Sequence, residues 1–267
     1  MFNQLKSITT SLFMIVVLVL LLSFNQQAKK TTVYLIGDST MCDYPVRQFP
    51  VTGWGMPFAN YFDNSVRIDN RAKGGRSTRT FIAENRWVAV VDSLKAGDYV
   101  LIQFGHNDGA RGPQYAARYT SVSDYKKNLT RFILETRDKN AIPLLITPVS
   151  RRSFDKDGNT KETHKEYTAA VFAVGEEYQV PVIDLDSKSR KLYQQLGPER
   201  SKMLFMELDS GVHPNYPQGR HDNTHFNEYG ARKMAEIVLN DLKEKQLGLA
   251  QKIVKGQNKA VVNLQAK

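Results

Sequence analysis

The sequence predicts an α/β fold in which a parallel sheet is covered by helices on both faces. Three observations carry this. Short apolar runs recur and end on glycine, proline or a polar turn residue. Segments with apolar residues at three- and four-residue steps lie between them. The residues able to do chemistry cluster just after the apolar runs. Strands alternating with helices pack as a parallel sheet with both faces buried, and such sheets bind ligands outside the carboxyl ends of their strands.

The first strand is expected at Val33 to Ile36, ending in the turn Gly37-Asp38-Ser39-Thr40. A short helix at Phe58 to Phe62 leads to a second strand at Val66 to Ile68, which runs into Asn70 and Gly74-Gly75. Trp87 to Leu94 reads as a second helix, and Tyr99 to Phe104 as a third strand stopped by Gly105. A third helix, Asp124 to Arg137, aligns Tyr125, Leu129, Phe132, Ile133 and Thr136, with Ser123 as its expected cap. Ile142 to Ile146 is a fourth strand, closed by Thr147-Pro148. His164 to Tyr178 is a helix, Val180 to Ile183 a fifth strand, and Asn227 to Leu242 a last helix. With 267 residues, a hydrophobic fraction of 41 %, and neither repeat nor linker, residues 31–245 read as one domain.

The ends differ from this body. Lys6 is the only charge before Lys29, and Leu12 to Leu22 is apolar, followed by polar Asn25 to Ala28. This is the layout of a secretory signal over residues 1–28, or of an uncleaved anchor, since no small-x-small triplet marks a cleavage site. A secreted, periplasmic or cell-surface location follows. Residues 246–267 form a polar extension of unassigned role. The single cysteine, Cys42, excludes an intrachain disulfide and lacks any base that would make it a nucleophile. The net charge is +10, and loss of residues 1–28 removes only Lys6, leaving +9. A basic exported protein suits an acidic partner.

Four short segments carry the chemistry: Gly37-Asp38-Ser39-Thr40, Gly74-Gly75-Arg76-Ser77, Gly105-His106-Asn107-Asp108 and Asp222-Asn223-Thr224-His225. If the strand order is 2-1-3-4-5, the first strand lies between the second and third. Ser39 is then flanked by the backbone N–H of Gly75 and the side-chain amide of Asn107. With the N–H of Ser39 itself, these are suitable donors for an acyl-transfer oxyanion. A serine hydroxyl needs a base. The three-residue spacing on a turn lets Asp222 orient His225, whose Nε2 then faces Ser39. Asp38 reads as a structural acceptor, Asp108 as a loop-holding residue and His106 as a packing residue. His164 reads as solvated and His213 as a surface side chain. Five histidines and one cysteine give no convincing metal-ligand pattern.

These blocks resemble those of the SGNH hydrolases, or GDSL-like esterases, and within them the rhamnogalacturonan acetylesterases. Gly53-Trp54-Gly55, Thr147-Pro148-Val149 and the threonine following Ser39 resemble that acetylesterase branch. The resemblance covers about residues 32–242. It implies a three-layer α/β/α sandwich with a five-stranded parallel sheet, and no metal or other cofactor. It also implies a triad of Ser39, Asp222 and His225, and an oxyanion hole of Ser39, Gly75 and Asn107. The implied reaction is removal of acetyl groups from rhamnogalacturonan, so the expected partner is an acetylated acidic polysaccharide. Neither nucleic acid nor a membrane partner is expected, apart from an anchor should the leader persist. Trp54 offers a stacking face for a sugar, or a packing side chain. Arg76 and Arg79 offer bidentate partners for uronate carboxylates, and His221 lies close enough in sequence to the triad to touch substrate. The competing readings are an esterase of other acyl esters, such as acetylated xylan or lipid, and a non-catalytic polyanion-binding protein.

Overall fold

The structure, a computed structural model, describes residues 30–254. The leader reading and the extension beyond residue 254 lie outside them. Five parallel strands form one sheet in the order β2-β1-β3-β4-β5. These are β1 (Thr31–Gly37), β2 (Val66–Asn70), β3 (Tyr99–Gln103), β4 (Ile142–Ile146) and β5 (Val182–Ile183). The helices are α1 (Gly55–Phe58), α2 (Thr78–Ala83), α3 (Arg86–Val91), α4 (Val122–Asp138), α5 (Lys165–Glu177), α6 (Leu185–Arg200) and α7 (Glu228–Glu244). A separate antiparallel pair, β6 (Phe205–Leu208) and β7 (Arg220–Phe226), stands between α6 and α7.

Alternation along the strands builds the three layers. Val33 and Leu35 of β1, Leu101 of β3 and Leu144 and Ile146 of β4 pack with Phe58 of α1, Tyr193 of α6 and Met234 and Val238 of α7. The intervening residues, Tyr34 and Ile36, Val100 and Ile102, and Leu145, pack on the other face with Phe81, Trp87, Phe132 and Val171 from α2, α3, α4 and α5. The central strands β1, β3 and β4 are thus apolar on both faces, which is why their runs are continuous rather than alternating.

Several elements differ from the sequence expectation, each for a local reason. The fifth strand is expected from Val180 but begins at Val182. The Val180 N–H is drawn back to Gly175 O, and Pro181 can offer only its carbonyl, which accepts from Leu145 N. The first helix is shorter and earlier, with a single 3-10 turn at Ala59–Tyr61 following it. Ser121, not Ser123, caps α4, accepting from Asp124 N at 3.1 Å. The helix α6 is absent from the sequence reading because its buried positions include Asp186 and Ser189, which break the apolar rhythm. Its backbone bends at Gly197, φ 73°, before Pro198. The six-residue α2 is set by a capping box between Ser77 and Thr80 rather than by periodicity.

The C-terminal segment docks as far as it is described. Residues 248–252 form a 3-10 helix with Leu249 buried, and Ile253 bridges Phe62. Asp63 N and Val254 N complete the seam by donating to Lys252 O and Tyr61 O. The packed body therefore continues past residue 245.

The start of α7 is fixed by two features. Asn227 caps it by accepting from Gly230 N at 3.0 Å, and Gly230 lies so close to Leu204 that a Cβ there would stand 1.9 Å from its carbonyl oxygen. Gly230→Ala must therefore move the backbone of either α7 or the segment before β6. We expect a loss of about 1–3 kcal/mol, typical of overpacking, read as a lowered midpoint in thermal or urea denaturation.

Candidate active site

At the end of β1 the chain makes one tight turn, with Met41 N and Cys42 N donating to Asp38 O. A buried chain of hydrogen bonds holds this turn. Trp54 Nε1 donates to Gln103 Oε1 at 2.6 Å, Gln103 Nε2 to Thr40 Oγ1 at 2.7 Å, and Thr40 Oγ1 to Asp38 Oδ1 at 2.8 Å. The Thr40 N–H adds a second donor to Asp38 Oδ1 at 3.0 Å. Burial raises the pKa of the Asp38 carboxyl despite these bonds. No helix follows Ser39 directly, since α1 begins only at Gly55.

Ser39 faces β7. The Ser39 Oγ lies 2.9 Å from His225 Nε2, and His225 Nδ1 lies 2.7 Å from Asp222 Oδ2. The sequence placed these last two residues on a turn. They belong to a strand, but one whose pairing is interrupted: Phe205 opposes Phe226 while the next residue, Met206, opposes Asp222. Residues 223–225 bulge out of the ladder between them. Asp222 Oδ1 closes the bulge by accepting from Thr224 N and His225 N at 2.8 and 3.0 Å. Arg220 Nη2 also donates to Asp222 Oδ2 at 2.6 Å. Burial raises the pKa of Asp222. The hydrogen bond and charge of His225, with the Arg220 bond, outweigh that and hold its carboxyl well below the usual range. Ionised Asp222 fixes the proton on Nδ1 and leaves Nε2 to accept the Ser39 proton.

The wall beside Ser39 is made by loops after β2 and β3. Gly75, at φ 80°, occupies the left-handed region that a side chain disfavours. Asn107 is buried and its Nδ2 donates to Arg76 O at 3.0 Å. Ser39, Gly74, Gly75, Asn107 and His225 line one cavity of about 790 Å³. The structure thus brings together all five residues expected in the triad and the oxyanion hole.

The four expected substrate contacts are corrected. Trp54 is fully buried behind the serine turn and has no face for a sugar. Arg76 is bound to Glu84 Oε2 at 3.0 Å and to Gly74 O, and its side chain does not line the cavity. Arg79 reaches Tyr119 O and lines a separate groove with Ile82, Asp124 and Lys127. His221 is exposed and pairs with Glu207 at 3.0 Å. It precedes Asp222 on β7, so it points to the opposite side of the strand. His164 is also corrected: it is buried at the start of α5, its ring 4.1 Å from that of His106. Burial, then its coupling to His106 and the charge of Arg151, take its pKa to about 2. His106 donates from Nε2 to Val149 O and is likewise held neutral, first by burial. Burial pushes the Cys42 thiol up to about 11, in keeping with an unreactive side chain.

Sequence reasoning did not find the remaining cavity side chains, among them Tyr115, Arg118, Arg151, Thr163 and Tyr167. They come from the segment after β3, from the segment after β4 and from α5. Only the Thr147-Pro148-Val149 segment just before Arg151 signalled that region.

Residues 35–233 match the GDSL-like Lipase/Acylhydrolase family. The chain belongs to this family. The GDSL-like chain is accordingly a carboxylic ester hydrolase. It is 42 % identical over 231 residues to rhamnogalacturonan acetylesterase RhgT of Bacillus subtilis, covering 86 % of this chain and 97 % of that protein. It is 34 % identical to the probable rhamnogalacturonan acetylesterase YesY of the same organism, over 84 % of this chain and 97 % of the relative. Among solved structures, the Bacillus subtilis protein YXIM superposes with a TM-score of 0.70 at 29 % identity, over 82 % of this chain and 58 % of that one. The acetylxylan esterase Axe2 of Geobacillus stearothermophilus superposes with a TM-score of 0.59 at 18 % identity, over 81 % of this chain and 96 % of its own, a likeness of fold.

Asp108 ties this GDSL-like site to the second face of the sheet. Its Oδ1 accepts from Thr78 N at 3.0 Å and Thr78 Oγ1 at 2.5 Å, while Oδ2 is buried without a partner. Burial raises its pKa to about 7, against the hydrogen bonds that lower it. The folded protein therefore keeps a proton that the unfolded chain releases at its normal carboxylate value. The stability from this group is full below about pH 4 and is lost as pH rises to about 7. Asp108→Asn mimics the protonated form. Melting temperatures of the variant should fall less than those of the parent chain between those pH values; parallel slopes would refute the assignment.

Proposed function

We propose that this GDSL-like hydrolase is an exported serine acetylesterase acting on rhamnogalacturonan through an acetyl-enzyme on Ser39. The observation that carries the serine mechanism is the continuous relay from Asp222 through His225 to Ser39, at 2.7 and 2.9 Å, on the wall of a cavity that also presents Gly75 and Asn107. Ser39 Oγ attacks the carbonyl carbon of the acetyl ester as its proton passes to His225 Nε2. The ester C–O bond then breaks, and His225 returns the proton to the departing sugar oxygen. Water attacks the acetyl-enzyme by the same route, acetate leaves, and Ser39 recovers its proton. The backbone N–H groups of Ser39 and Gly75 and the Asn107 amide receive the oxyanion in each half-reaction.

The substrate reading is supported by the relatives, two of which are named as rhamnogalacturonan acetylesterases at 42 % and, as probable, 34 % identity. The positive charge of +10 is consistent with an acidic polymer. The short apolar leader of residues 12–22 behind Lys6 supports export.

Acetate release should be measured from acetylated rhamnogalacturonan, homogalacturonan, xylan and a small aryl acetate. Preference for xylan would overturn the substrate and leave the serine mechanism standing. Ser39→Ala should lower kcat by at least about 10⁴-fold on every substrate with thermal stability retained; unchanged release would end the mechanism. Asn107→Ala should cost about 10²–10³-fold in kcat, with a smaller effect on KM.

A further inference from the structure

The cavity holding Ser39 carries two cationic side chains that acyl transfer does not use. Arg118 and Arg151 both line it. Among the described residues, neither forms an ion pair with a carboxylate. The acidic side chains on the same wall are already engaged, Glu162 with Arg190 at 3.6 Å and Glu166 with Arg111 at 3.8 Å.

Arg118 is held in place without being neutralised. Its guanidinium carbon lies 4.4 Å from the centre of the Tyr115 ring, which fixes the plane of the fork. Its Nε is buried and has no hydrogen-bond partner. One terminal nitrogen, Nη1, comes within 3.8 Å of the point where a Cβ on Gly75 would stand. The fork therefore hangs over the glycine turn beside Ser39. Arg151 is half-buried; its Nη1 donates to Thr224 Oγ1, and its backbone N–H is held by Thr163 Oγ1 at 3.0 Å. Burial lowers its pKa, the charges of Asp38 and Asp222 oppose that, and the nearby charge of Arg118 lowers it further. Two guanidinium groups that repel each other in one cavity, one with an unsatisfied buried donor, are stabilised by an anion between them. A substrate that carries an anion can supply it, because the same cavity also holds Ser39.

We infer that Arg118 and Arg151 form a carboxylate subsite for the uronate group of the sugar that bears the acetyl ester, with Arg118 as the specificity-determining side chain. The inference rests on the proposed acidic polysaccharide substrate and adds what selects it. A planar fork next to the turn of Gly75 suits a planar carboxylate within one sugar ring of the reacting carbonyl. This is the role the sequence assigned to Arg76 and Arg79, moved to arginines that reach the cavity.

The test compares the parent chain, Arg118→Gln and Arg118→Lys on three substrates: an acetylated rhamnogalacturonan oligosaccharide, the same oligosaccharide with its carboxyl groups reduced to hydroxymethyls, and a small neutral aryl acetate. Arg118→Gln should lower kcat/KM on the acidic oligosaccharide about 10- to 100-fold, mainly through KM, as loss of a charge-assisted pair does. Its loss on the reduced oligosaccharide and the aryl acetate should be several-fold smaller, and an unshifted melting temperature shows the variant to be folded. Arg118→Lys, keeping the charge without the fork, should fall between. Equal loss on acidic and reduced substrates, or no loss on the acidic one, overturns the subsite. A parent chain that turns over both oligosaccharides equally overturns the subsite while leaving the acetylesterase. One that cleaves only the aryl acetate overturns the acidic substrate and the subsite with it.

Discussion

Ser39 stands where it does because the turn beneath it is locked by a buried polar chain running from Trp54 through Gln103 and Thr40 to Asp38. Each polar side chain in it is buried, so each would carry a desolvation cost without its partner. That cost makes the arrangement discrete rather than adjustable. Gln103 is the last residue of β3 and pairs with Gly37 at the end of β1, so the chain also ties the serine turn to the strand that delivers Asn107. The serine and the asparagine share one rigid reference. Tyr44 adds a further tether by donating to Ser39 O at 2.8 Å.

His225 is positioned differently. His225 comes from a two-stranded pair outside the main sheet, so nothing in the parallel core sets its distance to Ser39 directly. Local devices do. Arg152 N donates to Asn223 O at 2.9 Å. The bulge at residues 223–225 is closed onto Asp222 by two backbone N–H groups. Thr52 N donates to Phe226 O, joining β7 to the segment ahead of α1. Asn227 and Gly230 then clamp the start of α7 against Leu204. A carboxylate that both folds the bulge and orients the imidazole couples local structure to charge: whatever protonates Asp222 loosens the loop as well as the base.

The framework was legible because its central strands are buried on both sides. Continuous apolar runs such as Tyr99 to Phe104 and Ile142 to Ile146 need no tertiary information to read. The neighbours of Ser39 were legible because Gly75 and Asn107 sit in short blocks just after strands, whereas Asp222 and His225 read as a turn and lie at the bulge of β7. The polar elements were not. The rhythm of α6 is hidden by Asp186 and Ser189, buried because Asp186 pairs with Arg190 and Ser189 bonds Asp186 O and Ser150 N. Asp222 to His225 read as a turn because β7 is largely polar. Trp54, left open between stacking on a sugar and packing, and His164, read as solvated, are both buried. An aromatic or imidazole ring near a site can face substrate or brace the site from behind, and composition does not distinguish the two. The Nε1 bond of Trp54 to Gln103 decides for bracing.

The cavity's electrostatics follow from which of its bases are kept neutral. His106 and His164 lie beside Arg151 and would add charge to an already cationic wall if protonated. Burial, with the guanidinium charge of Arg151, drives both toward the neutral form. Positive charge is thereby concentrated in the two arginine forks, whose planes and positions are fixed by Tyr115 and Thr224. A diffuse cationic surface would attract any polyanion and orient none. Two fixed forks beside neutral imidazoles impose direction as well as attraction. Selectivity in such a site resides in geometry close to the reacting carbonyl rather than in the overall excess of lysine and arginine.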